Sequence, residues 1–390
     1  MLPPRRARLA VSVLFAVNGA LSANVVPRLP AVKAELGLSN SAFGAALAFG
    51  PVGALLAGTV AGVLVARIGS GRLAALCGGV FGLLLALVGV APAWVALAGA
   101  LLVLGALDSV MDVAMNAHGL RVQQPYGRSI LNGFHAWWSI GATTGGLMGA
   151  GAAALEIDVP LHLGVVGVLL GAASVAAGRF CLPGLDPGAG ETPHDDTRPM
   201  PTHTGWRVVR VLAPLGAFGV LAAIVEDVPS SWGAVYLRDS LGAAAGVAGL
   251  GYVAFTTAMT VGRLVNDRLV DRFGLVTVAR AGAALAAAGL TAALLANSVS
   301  AAIAGFAAVG LGTSSSYPAL FAAAGRRPGV RPADGIAFAS WLGRSGFLIA
   351  PPLVGVVADA VSLPAGIAVA AAAATLLVLT AGALTPRSGA

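Results

Sequence analysis

Twelve apolar stretches constrain this chain more than any other feature, because the loops between them divide the basic residues unevenly. Of 23 Lys plus Arg, 19 fall on one side when the N-terminus is placed in the cytoplasm. They are Arg5, Arg6, Arg8, Arg67, Arg72, Arg121, Arg128, Arg179, Arg198, Arg207, Arg210, Arg263, Arg268, Arg272, Arg280, Arg326, Arg327, Arg331 and Arg387. Only Arg28, Lys33 and Arg238 fall on the other side, and Arg344 lies within a stretch. Basic residues held on the cytoplasmic side orient transmembrane helices. The pattern predicts a multi-pass protein of a bacterial cytoplasmic (inner) membrane, with both termini cytoplasmic and an even number of crossings.

Composition agrees with a lipid environment: 10% of residues are charged and 57% hydrophobic, and mean hydropathy is +0.88. A pI near 10.4 would suggest nucleic acid in a soluble protein, but the one-sided charge already accounts for it, so the bilayer is the expected partner. The spans are placed at 9–29, 42–65, 73–91, 94–119, 130–153, 161–180, 209–236, 245–266, 274–296, 299–323, 334–358 and 363–384. Backbone groups in lipid must be satisfied internally, so the expected class is an all-α membrane protein. Pro3-Pro4-Arg5-Arg6 leads into a full-length span with no small-residue cleavage site, so no signal peptide is expected. Cys77 and Cys181 read as small packing residues.

The longest polar segment, 183–206, is rich in Pro, Gly, Asp, His and Thr and reads as a cytoplasmic linker. It separates six-helix bundles at 1–182 and 207–390. An internal repeat supports the division. Gly62-x-Leu64-x-Ala66-Arg67-x-Gly69, closed by Arg72, follows span 2, and Asp267-x-Leu269-x-Asp271-Arg272-x-Gly274 follows span 8. Pro27 and Pro229 close spans 1 and 7, and Leu36-Gly37 and Leu241-Gly242 follow them. Halves repeated about the membrane normal are a transporter architecture, with the solute site between them near the midplane.

On these loops the chain resembles the major facilitator superfamily over essentially its whole length. Within it the chain is similar to the bacterial branch of the rhizopine-associated membrane protein, and more distantly to fucose permeases. The stretches that carry this are Asp112 to Gly119, His135 to Gly141, Glu226 to Trp232, and Pro351-Pro352. The resemblance implies two pseudo-symmetric six-helix bundles and alternating access. It also implies a gating latch at Arg67, Gly69, Arg72, Asp267, Asp271 and Arg272. Ala66 stands where the family's first motif has its acid, and Asp267 where the second has glycine. The family arrangement lines its cavity with helices 1, 4, 7 and 10.

Ionisable residues deep in a span are costly and usually face a cavity. Asp108 and Asp112 share one face of span 4, and Asn116 continues it. Like charges in a low dielectric cannot comfortably both stay ionised, which suits a carboxyl to carrying protons. Glu226 matches the family's helix-7 acid, beside Pro229, which should break that helix end. Asp227 lies on another face and reads as solvated. These readings make Asp112 and Glu226 the first proton-coupling candidates, with Asp108 and His135 behind them.

Arg344 should have an acid or an anionic substrate as partner. Asn18, Asn24, Asn116, Trp137, Trp138, Trp232, Tyr317 and Arg344 are the substrate-contact candidates. Gly141, Gly145 and Gly149 form a small-residue face for helix packing, and Gly58 and Gly62 read the same way. Neither a phosphate-binding Gly-x-x-x-x-Gly-Lys nor a zinc-type cluster occurs, so no enzyme activity, cofactor or metal is expected. The expected function is secondary transport of a small molecule by a monomer. Proton-coupled import of a polar or sugar-like solute, proton-driven efflux of drugs or metabolites, and non-transporting sensing or scaffolding remain the three readings.

Overall fold

The computed structural model describes residues 4–127, 130–185, 206–328 and 330–385. Most of the expected linker, with Arg128, Arg198, Arg387, His194 and His203, lies outside them. Twelve helical segments run along the described chain. They are α1 (Arg5–Glu35), α2 (Asn40–Ile68), α3 (Ser70–Val90), α4 (Trp94–Tyr126), α5 (Leu131–Ala154), α6 (Val159–Gly178), α7 (Trp206–Ser231), α8 (Ala245–Phe273), α9 (Leu275–Ala296), α10 (Val299–Gly325), α11 (Asp334–Ala360) and α12 (Leu363–Leu384).

Among the described residues, eleven helices are both long and apolar enough to cross a membrane. The exception is α5, whose 24 residues reach about 36 Å. Its length suffices, but Asn132, His135, two tryptophans, two threonines and several glycines dilute its hydropathy. Pro229 does not break α7 as expected: the helix continues to Ser231 and yields only at Trp232.

The repeat is visible in the backbone. Gly69 and Gly274 have φ of +90° and +81° and cap the following helices, α3 and α9. Gly37 and Gly242 have φ of +59° and +66°. Left-handed values of this kind strain a residue that carries a Cβ, so each pair of glycines solves the same turn in both halves.

Two compact units form. Unit 1 comprises Met1–Leu38, Phe49–Asp195 and Ala244–Leu250; unit 2 comprises Ser39–Ala48, Asp196–Ala243 and Gly251–Ala390. The first turns of α2 and α8 thus pack in the unit opposite to the rest of their helices. In unit 1, α1 packs on α5, α2 on α4 and α3 on α6. In unit 2, α7 packs on α11 and α9 on α12, while α8 meets α10 where a Cβ on Gly310 would lie 2.0 Å from the Phe255 carbonyl oxygen.

Small residues set these approaches. A Cβ on Gly141 would come within 2.0 Å of the Ala16 carbonyl oxygen, on Gly145 within 2.5 Å of that of Ala20, and on Gly149 within 2.8 Å of that of Asn24. The expected glycine face is therefore the α1–α5 contact. Gly62 differs from expectation: a Cβ there meets nothing, and on α2 it is Gly53 that lies against Leu102. Phe15, Met111 and Phe134 are fully buried in the unit 1 core, as are Leu212, Phe218 and Leu320 in that of unit 2. Outward-facing Leu56, Leu83, Leu264, Leu295 and Leu379 are more than half exposed, as helices bathed in lipid require.

Candidate functional site

Each unit carries its own polar network. In unit 1, α4 places Asp108 opposite α1. Asn18 donates from Nδ2 to Asp108 Oδ1 at 2.9 Å, and Ser22 donates to the same oxygen at 3.4 Å. Trp138 on α5 donates from Nε1 to Asn18 Oδ1 at 2.9 Å. Its indole nitrogen is thus committed to holding Asn18, and Trp137 is the tryptophan left exposed. Asn116 binds back to Asp112, donating to its backbone oxygen at 2.9 Å and its side chain at 3.0 Å. His135 is exposed and sits edge-on to Phe15, ring centroids 5.2 Å apart.

Asn24, a substrate candidate from sequence, is fully buried. Its Nδ2 donates to Ala20 O at 2.7 Å, and its Oδ1 lies 3.2 Å from His162 Nε2. Both ends of the amide are used, so Asn24 is a structural residue. His162 must donate there, and its Nδ1 has no partner among the described residues. Arg28 is also buried, 4% exposed; it donates from Nη2 to Ile157 O and has Asp158 as its charge partner. Arg28, expected in an outer loop, is folded inward by the turn through Pro27. A second buried histidine, His118, accepts from the Leu182 N–H at 3.0 Å through Nε2 and so donates through Nδ1 to Ser70 at 2.8 Å. Arg121 binds Pro183 O and Gly184 O beside it. Together they fasten the chain where it leaves α6. Burial there pushes the Cys181 thiol up to about 11.

In unit 2, α7 buries both Glu226 and Asp227, 9% and 6% exposed. The solvated reading of Asp227 is corrected: it accepts from Ser231 Oγ at 2.9 Å, and its Oδ2 has no partner among the described residues. Glu226 shares a hydrogen bond with the Thr313 side chain and feels the charge of Arg263 from α8. Tyr317 on α10 stands within electrostatic reach of Glu226, Arg344 and Asp227. Its ring stacks on Phe347, 6.2 Å away with 12° between planes, and its hydroxyl approaches Gly343 O at 3.5 Å.

Arg344 is exposed rather than buried; its charge acts on Tyr317, and no ion pair of it is found among the described residues. Trp232 is fully buried and packs edge-on against Phe43 at 5.4 Å, so it cannot stack on a solute. Of the motif residues, Arg67, Arg72, Asp267, Asp271 and Arg272 are exposed, and Arg272 covers the Phe273 ring. The sequence reading missed Arg263, Thr313, Arg28 and His118. Arg263 had been counted with the loop basics; its one signal was its place three to four residues before the Asn266-Asp267 pair, still inside the helical run.

The polar networks, the repeated pairings and the lipid-facing leucines define a multi-pass membrane protein of the transporter class. A family model described as Major Facilitator Superfamily matches residues 215–389. An uncharacterized MFS-type transporter of Yersinia pestis is 33% identical, over 96% of this chain and 93% of its own length. The uncharacterized transporter y4wD of Sinorhizobium fredii is 31% identical over 90% and 91%. Membrane protein MosC of Rhizobium meliloti is 29% identical over 91% and 84%. Among solved structures, the nucleoside transporter NupG is similar in fold at 13% identity, with a TM-score of 0.79 over 97% of this chain and 99% of that one. A bacterial homolog of the human lysosomal transporter Spinster, captured inward-facing, gives 0.68 at 14% identity over 98% and 94%. The chain belongs to the major facilitator superfamily, and it is a secondary transporter rather than an enzyme.

Proposed function

We propose that the protein is a proton-coupled importer of a small polar or sugar-like solute in a bacterial inner membrane, with both termini cytoplasmic and the monomer as its working unit. Asp112 and Glu226 carry the coupling protons in this reading, with Asp108 and His135 as secondary sites. Arg344 and Tyr317 contact the solute. The observation that carries it is Glu226. This carboxyl is buried on a spanning helix beside the Thr313 hydroxyl, and Arg263 and Tyr317 lie within electrostatic reach of it. A carboxyl with little water around it and a cation within reach can exist in either protonation state, which is what coupling needs.

The test uses liposomes loaded with a pH dye and a panel of monosaccharides, polyols and nucleosides. At least one solute should acidify the lumen with wild-type protein. Glu226→Gln should abolish solute-driven proton movement while keeping counterflow of the same solute. Wild-type acidification by Glu226→Gln would overturn the assignment.

A further inference from the structure

Where α1 enters the membrane, unit 1 has a cavity that the transport reading leaves unused. It measures about 450 Å³ and is lined by Arg5, Arg8, Leu9, Ser12, Tyr126 and Trp137. No lining residue is acidic, and both arginines are exposed. Arg8 lies over the Tyr126 ring, 5.6 Å from its centre. The Tyr126 hydroxyl is shut off from solvent and has no hydrogen-bond partner among the described residues. A buried hydroxyl without a partner costs roughly 1–3 kcal/mol, so a turn of the ring that brings it to a ligand oxygen is favoured. Leu9 is 64% and Trp137 45% exposed, giving the same cavity an apolar flank.

We propose that this cavity binds the phosphate headgroup of an anionic phospholipid. Guanidinium groups match phosphate oxygens in charge and in the geometry of their N–H groups. Ser12 adds a hydroxyl, as does Tyr126 once its ring turns to the ligand, and Leu9 and Trp137 accept the start of an acyl chain. The position decides between a lipid and a dissolved phosphate: Arg5 is the first residue of the first span, which sets the cavity at headgroup depth. Trp137 is the kind of residue that settles at that depth. The inference does not depend on which solute is carried or on proton coupling.

Native mass spectrometry of the full-length protein tests it, with phosphatidylglycerol, phosphatidylcholine and soluble glycerol 3-phosphate as probes. Wild type should retain phosphatidylglycerol in preference to phosphatidylcholine. Each arginine near an anionic surface contributes about fivefold in affinity, so Arg5→Ala with Arg8→Ala should lower retention on the order of 25-fold. Equal melting temperatures in phosphatidylcholine nanodiscs would show that the variant is folded. If it does not fold, Tyr126→Phe, which keeps both charges, decides: a several-fold loss supports the site and unchanged retention overturns it. Unchanged phosphatidylglycerol preference in the folded double variant overturns the proposal. So does displacement of the lipid by glycerol 3-phosphate at micromolar concentration, which would mark a site for dissolved phosphate.

Discussion

Asn18→Ala removes the middle of the chain that runs from Trp138 on α5 to Asp108 on α4. Two bonds of 2.9 Å are lost together. One goes to a carboxyl, and hydrogen bonds to charged groups contribute about 1.5–3 kcal/mol. The other joins two neutral groups between membrane helices, where measured values average about 0.6 kcal/mol. The expected loss is about 2–4 kcal/mol, because Asn18 is only 3% exposed and water cannot readily replace it. Reversible unfolding in mixed micelles, titrated with a denaturing detergent, reads this directly. Ser22→Ala is the internal control: its 3.4 Å contact with the same carboxyl should cost no more than about 0.5 kcal/mol. Asp108→Asn placed on top of Asn18→Ala should cost less than the two single changes added, since they share a bond. If Asn18→Ala costs no more than Ser22→Ala, or the double change is additive, Asn18 is not the link and the unit 1 network is wrongly drawn.

Gly141→Ala should destabilise by about 1–3 kcal/mol in the same assay, because its Cβ would stand 2.0 Å from Ala16 O; Gly62→Ala meets nothing and should be neutral or slightly stabilising. A fluorescent reporter fused after Ala390 should light up in the cytoplasm, and a translocated C-terminus would overturn the charge argument. With its thiol held near 11 by burial, Cys181 is almost wholly un-ionised in the folded protein at neutral pH. Maleimide labelling should be slow until denaturant is added, and rapid labelling of native protein would show that the α6 exit is open.

The spans were legible because a stretch of about 20 apolar residues has few alternatives. The repeat was legible because Gly69 and Gly274 must occupy equivalent left-handed turns. The facing of side chains was much less so. A helix that meets lipid on one side and protein on the other is apolar all round, so periodicity cannot orient it. That is why Asp227 reads as solvated in sequence when α7 buries it, and why Arg263 reads as a loop charge when its charge reaches Glu226. Arg28 was misplaced for a different reason: a turn through Pro27 reverses its direction, and its partners Ile157 and Asp158 are remote in sequence. Trp138, Asn24 and Trp232 have the right chemistry for a solute, and only the fold reveals that their polar or aromatic surfaces are already used.

The polar network around Asp108 and the one around Asp227 differ in how completely their groups are matched. In unit 1, Asp108 accepts from Asn18 and Ser22, and Trp138 holds Asn18 in place. A satisfied network in a low dielectric is rigid. In unit 2, Asp227 leaves one oxygen unpartnered among the described residues, the Tyr317 hydroxyl approaches Gly343 O at 3.5 Å, and Arg344 is exposed. Groups in that condition are available to a proton or a solute. Asp108→Asn is therefore expected to lower stability, with most of its transport loss following the loss of folded protein and a smaller part reflecting its secondary place in coupling. Glu226→Gln, Asp227→Asn and Arg344→Ala are expected to leave unfolding within about 1 kcal/mol of wild type while reducing uptake at least tenfold per folded molecule. Arg344→Lys keeps the charge and should recover part of the uptake if charge alone is recognised, and little if a planar fork is needed. Uptake normalised to folded protein, measured beside unfolding for each variant, separates the two networks. Equal transport defects from Asp108→Asn and Glu226→Gln at unchanged stability would show that the Asp108 network is not chiefly structural, and the contrast between them would fail.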